Sequence, residues 1–106
     1  RMASRAMLAI GRTGSPAANG SGDYAVAFST AESVRRKRNH SVSGELSNRE
    51  ISPLFQATVE ATEEAIYNAL FRATSVTGHG GTVNAISIEN VVEVMRRYGR
   101  DVNFVR

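Results

Sequence analysis

One run in this chain, Tyr24-Ala25-Val26-Ala27-Phe28-Ser29-Thr30, has the strict alternation of a β-strand. A lone strand satisfies neither its backbone hydrogen bonds nor both of its faces, so its sheet partners must come from elsewhere. Tyr24, Val26 and Phe28 share one face, and Ala25 and Ala27 the other, where small side chains let a second layer approach closely. Helical patterns surround this strand. Met2, Ala6, Met7 and Ile10 recur at helical spacing, and Gly11, Thr13, Gly14 and then Ser15-Pro16 end the helix. Ser52 reads as an N-cap, with Pro53 at the first helical position, where its missing N–H costs nothing. The stripe of that longest helix is Phe55, Val59, Thr62, Ile66, Ala69, Leu70 and Ala73, with Glu60, Glu63 and Glu64 off it.

A last helix starts at Ser87, with Asn90 at the capping-box position and Ile88, Val91, Val92 and Met95 facing inward. Arg96 and Arg97 complement the dipole in its final turn, and Gly99 closes it in the left-handed conformation. Between the helices, Thr77-Gly78-His79-Gly80-Gly81-Thr82 reads as a loop, followed by a short extended stretch from Val83 to Ile86. Residues 31–50 read as an exposed basic loop holding Arg35-Arg36-Lys37-Arg38 and the turn Ser43-Gly44. The order helix, strand, loop, helix, loop, helix is α/β with too few strands for a sheet. Residues 1–106 are therefore expected to be a single partial domain, one that begins part-way through a helix at Arg1-Met2-Ala3.

With 42% hydrophobic and 22% charged residues, the composition is that of a globular chain rather than a disordered one. The absence of cysteine excludes disulfides, thiolate zinc sites and a cysteine nucleophile, and leaves the compartment open. A net charge of +3 is a mild excess, below that of a dedicated nucleic-acid binder, so no nucleic-acid partner is expected. No apolar run approaches membrane-spanning length, so no membrane partner is expected. No aromatic residue interleaves Arg35 to Arg38, which reads as a solvated stretch. His79 and His40 are far apart and have no carboxylate beside them in sequence, so they read as loop histidines, and no metal is expected.

Gly20-Ser21-Gly22-Asp23 is the candidate site. Glycines on both sides let the Ser21 hydroxyl come close to a second chain, and Asp23 two positions on can accept its hydrogen bond. The same residues also suit a plain helix-to-strand turn, and spacing alone leaves both open. They precede a strand rather than a helix, so they are not a dinucleotide-binding fingerprint.

In order and spacing, Gly11-Arg12-Thr13-Gly14-Ser15, Gly20-Ser21-Gly22-Asp23 and Ala27-Phe28-Ser29-Thr30 resemble the small subunit of the beta-peptidyl aminopeptidase and L-aminopeptidase/D-esterase family. Glu64-Ala65-Ile66-Tyr67-Asn68-Ala69-Leu70, the stretch from Thr74 to Gly78, and Arg97-Tyr98-Gly99-Arg100 continue the match, which is weakest in the basic loop. The resemblance implies an Ntn-hydrolase-like layered αββα sandwich, of which this chain supplies part. It implies a precursor that cleaves itself before a serine upstream of Arg1, which becomes the N-terminal nucleophile. It implies that Ser21 hydrogen-bonds this nucleophile and that Asp23 supports Ser21. Oxyanion-hole and substrate-ammonium residues would belong to the large subunit, and none is assigned here. The implied partners are the large subunit of the same precursor, further copies of the resulting heterodimer, and a small peptide or amide substrate. No cofactor is implied. Some relatives carry a charged Arg-Asp pair where this chain has Gly78-His79-Gly80. The alternative to an enzyme is a binding module that keeps the fold without turnover.

Overall fold

The computed structural model describes residues 1–35 and 46–100. Arg36, Lys37, Arg38, His40 and the Ser43-Gly44 turn lie outside the described residues. The elements are α1 (Met2–Arg12), a 3-10 turn (Glu32–Val34), α2 (Ser52–Phe71), β1 (Val76–Gly78), β2 (Gly81–Val83) and α3 (Ile88–Arg97). They fall into two compact units, Arg1–Ile66 and Tyr67–Arg106.

In the first unit α1 ends as its glycines require. Gly14, at φ +94°, takes the left-handed position after the helix. The Gly14 N–H then donates to the Gly11 carbonyl at 3.2 Å and the Ser15 N–H to the Ile10 carbonyl at 3.4 Å. These two bonds satisfy carbonyls that a helix end leaves open. The Thr13 hydroxyl adds a bond to the Ile10 carbonyl at 2.8 Å.

The core of this unit is small: among the described residues of the chain, only Ala9 and Val59 are buried hydrophobics. Ala9 lies outside the stripe expected for α1, whereas Met2, inside it, is 41% exposed. On α2 the inward face is Phe55, Thr58, Val59, Thr62 and Ile66, and it includes Glu63, which the apolar pattern places off the stripe. The carboxylate of Glu63 meets Arg12 Nε at 2.8 Å, linking α2 to α1. The guanidinium groups of Arg5 and Arg1 stand 4.1 and 5.0 Å from the Phe55 ring centroid, so this helix pair is joined at both ends by arginine.

Residues 24–30 are not a strand here. Among the described residues the only sheet is β1 with β2, and strand status requires a neighbour to hydrogen-bond. The alternation is kept only in part, because Ala27 is exposed like its neighbours. Ala25 is half-buried, while Tyr24, Val26 and Phe28 are 93%, 86% and 85% exposed. Residues 25–28 border a cavity of about 300 Å³ together with Met2, Ala3 and Ala6 of α1 and Thr58 and Thr62 of α2. The small-residue helix face thus meets the segment next to the alanines.

In the second unit the glycine-rich loop proves to be a β-hairpin. Val76 pairs with Val83, Thr77 with Thr82 and Gly78 with Gly81, leaving His79-Gly80 as the turn. Three glycines in four residues argue against regular structure, but the β-branched flanks prevail, since Val and Thr suit a pleated surface. The Thr77 and Thr82 hydroxyls also hydrogen-bond across the pair at 2.8 Å. Beyond the hairpin, the Ala85 N–H donates to Ser75 Oγ at 3.0 Å.

Helix α3 follows its sequence signals closely. Ser87 Oγ accepts the Asn90 N–H at 3.2 Å. At the other end Gly99, at φ +71°, lets the Gly99 N–H reach the Arg96 carbonyl and the Arg100 N–H reach the Met95 carbonyl, both at 2.9 Å. Its apolar face is barely covered: Val91 and Val92 are half-buried, and Ile88 and Met95 are 36% and 39% exposed.

Candidate active site

Ser21 is delivered by the segment that runs from the end of α1 to the alternating stretch. Gly20 sits at φ +93°, and the Ser21 N–H donates to the Ala18 carbonyl at 2.9 Å. This is the third position of a type II turn, where glycine is favoured because it has no Cβ to clash. Upstream, Ala17 is the sole described non-glycine residue with positive φ, at +46°. Its N–H donates to Ser15 Oγ at 3.3 Å.

The Ser21 hydroxyl donates to Asp23 Oδ2 at 2.9 Å, and both residues are exposed. With its proton turned toward Asp23, the Ser21 oxygen presents its lone pairs outward, where it can accept a hydrogen bond from a group brought beside it. The Tyr24 ring folds back beside Gly22: a Cβ at position 22 would meet Tyr24 Cε2 at 3.5 Å.

Among the described residues, Ser47 and Ser87 also pair with carboxylates, and both have local structural work. Ser47 donates to Glu50 Oε2 at 2.6 Å while its N–H binds the same oxygen at 3.3 Å, closing a turn. Ser87 donates to Glu89 Oε2 at 3.0 Å while capping α3. These bonds hold both carboxyls below the usual range: at Glu50 chiefly the Ser47 hydroxyl, at Glu89 chiefly its own N–H and then the Ser87 hydroxyl. Among the described residues, the Ser21–Asp23 pair makes no such capping contact. Its geometry serves neither a helix end nor a strand.

His79 lies at the hairpin turn in the second unit, and His40 is outside the described residues. Among the described residues no group of three His, Cys, Asp or Glu side chains could hold a metal ion. No described helix is long and apolar enough to cross a membrane. Ala17 was not signalled by spacing; the Ser15-Pro16 doublet before it is the only sequence hint.

Comparison with known proteins bears on this segment directly, because the profile of peptidase family S58 matches residues 1–84, which contain the whole turn. The chain belongs to peptidase family S58. Within it, the chain is 38% identical over 103 residues to the beta-peptidyl aminopeptidase BapA of Sphingosinicella microcystinivorans, covering 94% of this chain and 26% of that protein. The BapA of Sphingosinicella xenopeptidilytica is 34% identical over 100 residues, covering 91% and 25%. The chain thus spans about a quarter of the length of these relatives.

Two solved structures share the fold of this S58 chain. One is a protein of Pyrococcus horikoshii OT3, with a TM-score of 0.75 and 47% identity over 94% of this chain and 29% of its own. The other is the L-aminopeptidase D-ala-esterase/amidase of Ochrobactrum anthropi, described as a prototype for the serine aminopeptidases and a new variant of the Ntn hydrolase fold. Its TM-score is 0.72, with 35% identity over 96% of this chain and 30% of its own. The fold is accordingly α/β of the Ntn-hydrolase kind, and this chain is part of it.

Proposed function

We propose that this S58 chain is the small-subunit part of a serine N-terminal-nucleophile aminopeptidase that releases N-terminal amino acids from short peptides, amides or esters. The observation that supports this most is the Ser21 hydroxyl donating to Asp23 at 2.9 Å in an exposed, glycine-flanked turn. Family membership and the aminopeptidase relatives point the same way.

In this mechanism a serine freed at the start of the small subunit attacks the substrate carbonyl. Its Oγ–carbon bond forms and the amide or ester bond breaks, giving an acyl-enzyme. Its proton passes through its own α-amine or the Ser21 oxygen to the leaving amine or alcohol. Asp23 fixes the Ser21 hydroxyl so that its oxygen faces the nucleophile. Water then attacks the ester, the nucleophile recovers its proton, and the amino acid leaves. The nucleophile would arise by self-cleavage of a precursor, and the large subunit would supply the oxyanion donors and the site for the substrate ammonium.

Intact mass and N-terminal sequencing of the native protein, combined with turnover of an amino-acid p-nitroanilide, test the proposal. The expected result is two chains, the smaller beginning with serine, and release of p-nitroaniline. A single uncleaved chain without turnover would refute it.

A further inference from the structure

The path from α1 to Ser21 passes through three left-handed residues, Gly14, Ala17 and Gly20, at φ +94°, +46° and +93°. Glycine adopts such angles freely; alanine does so against a clash of its Cβ with the backbone. A strained torsion persists only where its surroundings impose it, and here they are identifiable. Pro16 fixes its own φ and restricts Ser15 to extended angles, and Ser15 Oγ accepts the Ala17 N–H at 3.3 Å. Immediately afterwards the Ala18 carbonyl accepts the Ser21 N–H at 2.9 Å. The torsions of Ala17 therefore set how the Ala18–Ser21 turn is oriented relative to the end of α1. Moving Ala17 into the right-handed region would swing that whole turn away and carry the serine–aspartate pair with it.

We propose that Ala17 is a positioning residue for turnover: braced by Ser15 and Pro16, its left-handed backbone fixes where the Ser21–Asp23 pair stands. This rests on the reading of that pair as catalytic. No side-chain contact of Ala17 is needed, so the requirement is for a backbone angle rather than a methyl group, which gives an unusual order of tolerance. Glycine and asparagine enter the left-handed region most readily, whereas a β-branched residue is strongly excluded from it.

The test uses the full-length protein carrying Ala17→Gly, Ala17→Asn, Ala17→Val, Ser15→Ala or Ser21→Ala, with kcat and KM on an amino-acid p-nitroanilide normalised to processed enzyme by mass. Ala17→Val is expected to lose about a hundredfold in kcat, the effect of displacing a reacting group by about 1 Å, with KM near the wild-type value. Ala17→Gly and Ala17→Asn should stay near wild type. If Ala17→Val does not fold, Ser15→Ala decides: it removes the brace without a steric conflict and should lower kcat about tenfold, with Ser15→Thr restoring it. Wild-type kcat in whichever of these two variants decides overturns the positioning role. So does an Ala17→Asn or Ala17→Gly variant as impaired as Ala17→Val. If those results coincide with a collapsed Ser21→Ala, only the positioning role fails; wild-type turnover in Ser21→Ala overturns the catalytic reading and this inference together.

Discussion

Ser21, Ser47 and Ser87 each give a hydroxyl to a carboxylate, yet only Ser21 does so without capping a helix or closing a turn with its own side chain. Replacing serine removes a backbone bond as well at Ser87, where Oγ accepts the Asn90 N–H, and at Ser47 it removes the hydroxyl's half of the turn while the Ser47 N–H keeps its bond to Glu50. At Ser21 it removes one exposed hydroxyl and no packed volume, so any loss of function there is separable from loss of structure. Asp23→Asn sharpens the distinction: the amide keeps the shape but loses the charge that holds the Ser21 proton. We expect turnover to fall while the melting point shifts by no more than about 1 kcal/mol equivalent. Steady-state kinetics and a melting curve on the same preparation check this, and unchanged kinetics would count against Asp23. The pair was legible in the sequence because its chemistry is local, two positions apart between glycines. Ala17 was not, because nothing about an alanine announces a left-handed torsion; it emerges from the proline and serine before it and the turn after it.

Among the elements, the ends of α1 and α3 were the most readable part of the fold, whereas α2 already includes Ser52, with the Phe55 N–H donating to the Ile51 carbonyl, so Ser52 is not the N-cap that the sequence suggests. Gly14, Ser87 and Gly99 stand where their backbone needs place them. Gly99→Ala is expected to destabilise the assembled protein by about 1 kcal/mol, because alanine resists φ +71°. Ser87→Ala should cost about 1 kcal/mol through loss of the cap on Asn90. Thermal melts of the full-length protein measure both, and no shift in either would contradict the capping geometry. The Glu89 carboxyl is held below its usual range by its own N–H and by Ser87, so the folded value is the lower one. Its support for α3 is present above the ordinary carboxylate range and fades as pH falls through the lowered value. Strand-like elements were harder to read. The hairpin was hidden by its glycines because its stability comes from cross-strand pairs, above all Thr77 with Thr82. Residues 24–30 show the reverse: they alternate in sequence, but a strand is defined by neighbours, and none is present among the described residues, where Ala25 is half-buried and Ala27 exposed.

For the whole molecule, the exposure of Tyr24, Val26 and Phe28 at 93%, 86% and 85%, and of Ile88, Val94 and Met95 on α3, sets the expectation. With Ala9 and Val59 as the only buried hydrophobics described, apolar burial cannot offset the conformational entropy of ordering the chain. We therefore expect the isolated 106-residue chain to aggregate or stay partly unfolded, and a cooperative monomeric melt of it would contradict this. In the complete protein the chain's task would be to present Ser21 and Asp23 to a nucleophile held in the same sandwich. Steady-state turnover of the full-length Ser21→Ala variant, with its melting curve, tests that task most directly. A fall in kcat of about 10²–10⁴-fold, as for lost general acid–base groups, is predicted at an essentially unchanged melting temperature. Wild-type turnover in Ser21→Ala would contradict it.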